Sequence, residues 1–303
     1  MSGVVLVPEK TPPKEGWPVI AWAHGFTGAG RQCAPSLLRN HHSGPFFSMY
    51  INLGYAVVAT DYAGLGTDSR NAVMDVPSNA NDLINSIPAA RTAVPQLSKR
   101  WVVMGPYMGA NAAIAVSEME GRLRDPNYFG AVAISGIADL AEVYDRLSKE
   151  QALGMLSVLA YGVKTVYPEF TVGDMLREKA LPAYQDVGET CGSLGKSFDL
   201  PVADLLKPSW NSNRFVVQFF DRNTLGRTPA DGPLLIIEDE GDPSFPPSLA
   251  VPVVARLCKQ GDRVQVNRFS DPGPGQVLGG SVRDQMSWIE ARFAGRPAQS
   301  SCP

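Results

Sequence analysis

Residues Trp101–Gly109 read WVVMGPYMG. A short apolar run, Trp101–Met104, ends in Gly105-Pro106-Tyr107-Met108-Gly109, and a helix-forming stretch, Ala110–Met119, follows at once. Strand, sharp turn and helix form the context in which the motif G-x-S-x-G lifts a serine above a sheet. Glycine is needed on either side because a side chain there would collide with the neighbouring strand or helix. Both glycines are present, but the serine slot holds Tyr107. The question for the rest of the chain is which chemistry survives with a phenol in that slot.

Working outward, apolar β-rich runs alternate with helical periodicity. Val4–Val7, Val19–Ala23, Tyr55–Thr60, Trp101–Met104 and Ala131–Ser135 read as strands. Phe46–Leu53 and Asn79–Val94 read as helices, the second capped by Ser78 or Asn79 and carrying Pro88 inside. Strands alternating with helices predict an α/β fold, a mostly parallel, doubly wound sheet. The alternation breaks at Ile137. As far as Asp231 the chain carries helical stretches (Asp139–Leu147, Gln151–Gly162, Val172–Lys179), with Phe215–Phe219 the only β-like run. This predicts a helical cap, 137–231, inserted into a core of 1–136 and 232–303. The core resumes with Leu234–Ile237, helix Ser248–Lys259, strand Val264–Phe269 and helix Val282–Phe293, and a frayed tail is expected after Arg296.

A chain of 303 residues, 44% hydrophobic, can bury one large core plus a cap. The net charge of −3, with no Lys/Arg block, argues against nucleic-acid or anionic-membrane partners. No apolar run is long enough to span a bilayer. The N-terminus, MSGVVLVPEK, lacks a basic region followed by a long apolar stretch, so no signal peptide is expected. Four widely spaced cysteines, Cys33, Cys191, Cys258 and Cys302, form no CxxC pair. They read as isolated thiols of a cytoplasmic protein, with Cys33–Cys191 and Cys258–Cys302 bridges as the alternative. Three histidines, two of them adjacent, make a His-based metal site improbable, and no cofactor is expected.

Five ordered stretches carry a resemblance: GWPVIAWAHGFTG, GYAVVATDYAGLGT, RWVVMGPYMGANAA, LLIIEDEGDPSFPP and FSDPGPGQVLGG. In this order the chain resembles the α/β-hydrolase superfamily, and within it the secretory-lipase-like esterases. The resemblance implies an α/β-hydrolase fold and a triad in chain order serine, acid, histidine. Asp242, in Asp242-Pro243-Ser244-Phe245-Pro246, matches the acid. The histidine loop usually reads like G-x-G-H; here Gly273-Pro274-Gly275 is followed by Gln276. The oxyanion hole implied by the family uses two backbone amides: that of Met108 and one from His24-Gly25-Phe26, with Phe26 the expected donor. His24 is expected to support this loop.

A triad works because imidazole accepts the serine proton near neutral pH and later returns it. Gln276 has no such proton, and a free phenol titrates near 10. Ordinary serine-hydrolase catalysis is therefore expected to be lost. His41 and His42 read as surface residues. Glu238, Asp239, Glu240 and Asp242 read mostly as solvated turn residues, unless two approach each other near the pocket. Met155, Tyr161, Tyr167, Phe170, Met175, Tyr184 and Trp210 read as cap core, with a few lining a pocket for a bulky, apolar small molecule.

Three functions fit. The first is a carbon–oxygen lyase that eliminates a carboxylate such as acetate from an ester, by analogy of fold with hydrolase-like proteins of tetronate polyketide pathways; isomerisation or cyclisation would use the same groups. The others are a residual esterase and a ligand-binding protein without catalysis.

Overall fold

A computed structural model describes residues 1–146, 149–192, 201–270 and 276–303, the side chains of 149–153 and 202 excepted. In chain order the first half comprises β1 (Gly3–Leu6), β2 (Trp17–Trp22), α1 (Gly44–Asn52), β3 (Ala56–Thr60), α2 (Val76–Ala93), β4 (Leu97–Pro106), α3 (Met108–Leu123) and β5 (Tyr128–Ile134). Five helices follow: α4 (Leu140–Asp145), α5 (Lys149–Val166), α6 (Leu181–Asp186), α7 (Val202–Leu205) and α8 (Arg214–Arg222). The chain then forms β6 (Leu234–Asp239), α9 (Val251–Lys259), β7 (Val264–Phe269), α10 (Val277–Gly280) and α11 (Val282–Phe293).

The strands form one seven-stranded sheet in the order β1-β3-β2-β4-β5-β6-β7. β1 runs antiparallel to β3, and the other pairs are parallel. The central strands are apolar throughout because helices cover both faces. Alternate residues point opposite ways. Val19, Ala21, Val103, Ala131 and Ile236 face α2, α3 and α9 through Leu83, Ile114 and Leu257. Ile20, Trp22, Val102, Val132 and Ile237 face α1 and α11 through Phe47, Tyr50 and Ile289. This is the predicted doubly wound architecture.

Several local readings are corrected. α2 begins at Val76, earlier than expected, because Asp75 caps it by accepting from the Ser78 amide at 3.2 Å, and the helix continues through Pro88. Phe215–Phe219 is not β-like but lies inside α8: Val216 and Phe219 are buried three apart, and Asn213 caps the helix. Val172–Lys179 is not a helix; it holds two short 3-10 turns and a β-bridge, Leu176 to Leu206. The tail is not frayed. The Ser301 amide donates to Val264 O, and the Ser301 hydroxyl accepts from the Val266 amide at 3.0 Å, so the tail runs along the edge of β7. The cysteines are not isolated thiols but form two disulfides, Cys33–Cys191 and Cys258–Cys302.

Helices α4 to α8 build an apolar cluster of their own, with Leu156, Phe170, Met175 and Phe219 at its centre; Phe245 and Leu249, from the segment after β6, pack against it. The buried Asp75 joins core to helices through two bonds from Arg222, at 2.7 and 3.1 Å. No helix among the described residues is long and apolar enough to cross a membrane.

Candidate active site

The turn between β4 and α3 keeps its strained form with tyrosine in it. Tyr107 has φ 53° and ψ −115°, a region that costs about 1–3 kcal/mol for a non-glycine. Its neighbours hold it there. The Tyr107 amide donates to Ile134 O at 3.0 Å. Asn111 donates through Nδ2 to Tyr107 O and Gly136 O, at 3.1 and 2.9 Å. A Cβ on Gly105 or Gly109 would lie 2.1 or 2.0 Å from Ala23 O, at the end of β2. Both glycines are thus required by the close approach of that strand end.

The phenol is half-buried. Burial first, then the charges of Asp242 and Asp239, raises it above its ordinary value. A base active near neutrality needs the opposite shift, so Tyr107 is suited to donate a hydrogen bond rather than to remove a proton.

The carboxylates come from the end of β6. Asp242 is buried, and its Oδ1 accepts from the amides of Ser244 and Phe245 at 2.8 and 3.1 Å. Asp239 is 1% exposed; its Oδ1 accepts from the Gly241 amide at 2.9 Å, and its buried Oδ2 accepts nothing among the described residues. Glu238 and Glu240 face elsewhere: Arg268 lies 3.5 Å from Glu238, and Ser270 donates to Glu240. Of the acidic crowd, Asp239 and Asp242 are the two whose charges act on the phenol. Phe245, in the same segment, lies 5.9 Å from the Tyr107 ring, centroid to centroid.

On the other side of the turn is the loop after β2. An added Cβ on Gly25 would come 3.6 Å from Pro106 O. Among the described residues neither the Phe26 nor the Met108 amide donates to a protein acceptor. Phe26 packs with Val158 and Tyr161 of α5, so helices from the 137–231 segment cover the loop. The loop is also tied to the chain beyond α6. Cys33 is bonded to Cys191, Gly28 forms a β-bridge with Cys191, the Gly192 amide donates to Thr27 O at 2.9 Å, and Gln32 donates to Gly188 O at 3.0 Å.

His24 is fully buried, stacked on Tyr62 at 4.2 Å, with Nδ1 2.6 Å from Gly25 O. Burial lowers its pKa to about 4. This buried position fits the supporting role expected of it. The unfolded imidazole takes its proton near 6.5, and the folded one near 4. The folded state thus binds fewer protons across that window. Its stability is complete above the unfolded pKa and falls with pH toward the folded one, by about 3 kcal/mol. Urea unfolding at stepped pH checks this: His24→Asn flattens the slope over that window, and an unchanged slope refutes it.

Gln276 is exposed and precedes α10. Gly273-Pro274-Gly275 lies outside the described residues. His42 is exposed, as read, whereas His41 is only half-exposed and its Nδ1 is buried. Asn40, His41 and His42 all have positive φ, at 55°, 50° and 63°.

The sequence reading did not separate Asp239 from its neighbours, and it missed Ser135. This serine follows β5 directly, beside Gly136, with φ 52° and a buried hydroxyl that has no partner among the described residues. Its signal was the Ser-Gly pair closing an apolar strand.

Among solved structures the chain is similar to the rice cell wall degrading esterase LipA from Xanthomonas oryzae, at 17% identity and TM-score 0.75, covering 96% of this chain and 84% of that one. It is also similar to Candida antarctica lipase A in its closed state, at 16% identity and TM-score 0.80, covering 98% and 74%. A search of curated protein sequences gives no match. The family model described as secretory lipase matches residues 45–301. That description overturns the expected cytoplasmic location and points to a secreted protein. The two disulfides agree, since such bridges persist in oxidising surroundings. With its lipase-like sheet and this match over most of its length, the chain belongs to the secretory lipase family and has the α/β-hydrolase fold.

Proposed function

We propose that this member of the family does not hydrolyse esters but performs acid/base chemistry beside a carbonyl, with segment 137–231 as a cap over a bulky, largely apolar substrate. One observation carries the reading: the nucleophile slot holds a phenol that burial and two carboxylates keep neutral. The concrete reaction is elimination of a carboxylate from a β-acyloxy carbonyl compound. Oδ2 of Asp242 takes the proton α to the carbonyl. The C–H electron pair forms the C=C bond, the C–O bond breaks, and the carboxylate leaves with its electrons. The proton passes from Asp242 to solvent. Tyr107 and the amides of Met108 and Phe26 hold the negative charge that develops on the carbonyl oxygen, while His24 and Gly25 shape the amide loop and Gln276 orients by hydrogen bonds alone.

The test uses the acetate ester of a β-hydroxy aryl ketone in heavy-oxygen water. Elimination gives an ultraviolet-absorbing enone and unlabelled acetate, whereas hydrolysis puts one label into the acetate. We expect unlabelled acetate, and Tyr107→Phe is expected to lower kcat by about 10². Labelled acetate from the wild type would overturn the reading in favour of a residual esterase. Binding with no turnover would overturn it in favour of a ligand-binding protein.

A further inference from the structure

We propose that a second site, a groove between α9 and the edge strand β7, binds a single-chain, uncharged lipid with a diol head, as in a monoacylglycerol. Tyr107, Asp242 and Gln276 do not line this groove.

The argument starts from the sheet. β7 is its last strand, and Glu238 of β6 and Arg268 of β7 are register partners. Ile236 and Val266, two positions earlier on each strand, pack in the cluster that faces α9. Glu238 and Arg268 therefore project to that same face. Between it and α9 lies a cavity of about 580 Å³, within the ordinary range of small-molecule sites. Val251, Val254, Ala255 and Val266 give it apolar walls, and Val251 is 57% exposed. From Val251 to Cys258 the walls follow α9 for about 10 Å. The C-terminus of α9 meets the starts of β6 and β7, since the Asp262 amide donates to Leu257 O and the Leu234 amide to Arg263 O. Glu238 and Arg268 thus lie at the Val251 end of the groove.

The second observation is the state of Glu238. The residue is only 6% exposed and lines the cavity. Neither carboxylate oxygen accepts a hydrogen bond among the described residues, yet neither is sealed off from the cavity. Arg268 Nε, 3.5 Å away, is too far for a well-formed hydrogen bond. Burial raises the Glu238 carboxyl above its ordinary value, and Arg268 acts against that shift. A largely buried carboxylate without donors is costly. The adjacent hydroxyls of a diol relieve it: one donates to Glu238, and the other accepts from Arg268. Because the two side chains carry opposite charges, an anionic head is repelled by Glu238 and a cationic head by Arg268. Lys259, the other cation on the cavity, sits at the far end in the last turn of α9, where the helix dipole favours it without a ligand. The apolar walls between the two ends take the alkyl chain.

The probe is 1-O-octylglycerol, an ether that neither hydrolysis nor elimination consumes, with octanoate and octylammonium as charged comparisons. Hydrogen exchange locates the binding, and titration calorimetry ranks it. We expect octylglycerol to slow exchange in 251–259 and 264–268 and to bind at least about tenfold more tightly than either ion. Glu238→Leu should weaken octylglycerol by about tenfold or more. Val254→Trp, which fills the groove from its half-buried wall, should abolish the protection and serves if Glu238→Leu does not fold. Protection confined to other segments, an ion bound as tightly as the diol, or variants that bind like the wild type would overturn the proposal. So would absence of binding by all three. The elimination reading fails separately, through labelled acetate or no enone.

Discussion

Tyr107→Ser combined with Gln276→His is expected to raise the hydrolysis of p-nitrophenyl butyrate by on the order of 10³ over the wild type. Tyr107→Ser alone should recover less than about a tenth of that gain, because its hydroxyl has no general base. On the proposed reading, the scaffold of covalent catalysis persists around the groups at positions 107 and 276. The elbow holds its residue at φ 53°, Asn111 ties its carbonyl to Gly136, and both flanking glycines remain pressed against Ala23. The amides of Met108 and Phe26 carry no protein acceptor among the described residues, and Asp242 keeps its backbone donors. On the proposed non-hydrolytic reading, what is missing is a nucleophile and a proton relay. A fluorophosphonate probe read by mass spectrometry should label residue 107 in the double variant and not in the wild type. If Tyr107→Ser alone reaches the activity of the double variant, another group serves as base, and the residual-esterase reading gains. If the folded double variant stays inert and unlabelled, these two positions do not by themselves decide whether the site hydrolyses esters.

How much of this was legible in sequence depended on the kind of signal. Strands β4, β5 and β6 are buried on both faces, so they announce themselves as continuous apolar runs, and the elbow has a fixed spacing that is legible with tyrosine in the serine slot. Phe215–Phe219 misled because a short apolar run does not reveal its period; only the flanking Asn213 cap and the charged Arg214, Asp221 and Arg222 close it as a helix. Asp239 was hidden for a different reason. Four acidic residues within five positions look alike in sequence, and what separates them is which oxygen a fold removes from water. Asp239 ends β6 inside the sheet, while Glu240 accepts from the exposed neighbour Ser270. The disulfides were open as pairings but not as facts, since partners 158 and 44 residues apart carry no spacing rule.

Removing the Cys33–Cys191 bridge by Cys33→Ser with Cys191→Ser should be the most damaging change outside the elbow. The bridge spans 158 residues, a stretch that includes the elbow, α3 and most of the 137–231 helices. Chain-entropy reasoning for a loop of that size gives about 5 kcal/mol of stabilisation. The Cys258–Cys302 bridge spans 44 residues, so its removal should cost somewhat less, about 4 kcal/mol by the same reasoning. Global stability alone would not separate two cross-links of similar strength; locality does. Cys33 closes the loop that begins at His24, and the same loop meets the chain beyond α6 through the Gly28–Cys191 bridge and the Thr27 and Gly188 carbonyls. There is no room to rearrange within that contact: a Cβ on Gly30 would lie 1.9 Å from Gly188 O. The loop bearing the Phe26 amide is therefore held from both sides, by β2 and by the helical segment above it. Hydrogen exchange should quicken in 25–33 and 186–192 when Cys33–Cys191 is removed, and not when Cys258–Cys302 is removed. In the Tyr107→Ser, Gln276→His background, loss of Cys33–Cys191 should lower kcat by about 10- to 100-fold with a smaller change in KM, because an amide that misses the oxyanion weakens the transition state more than the bound ester. Unchanged exchange in 25–33 would mean that the β-bridge holds the loop by itself. The disulfide would then stabilise the fold without positioning the site.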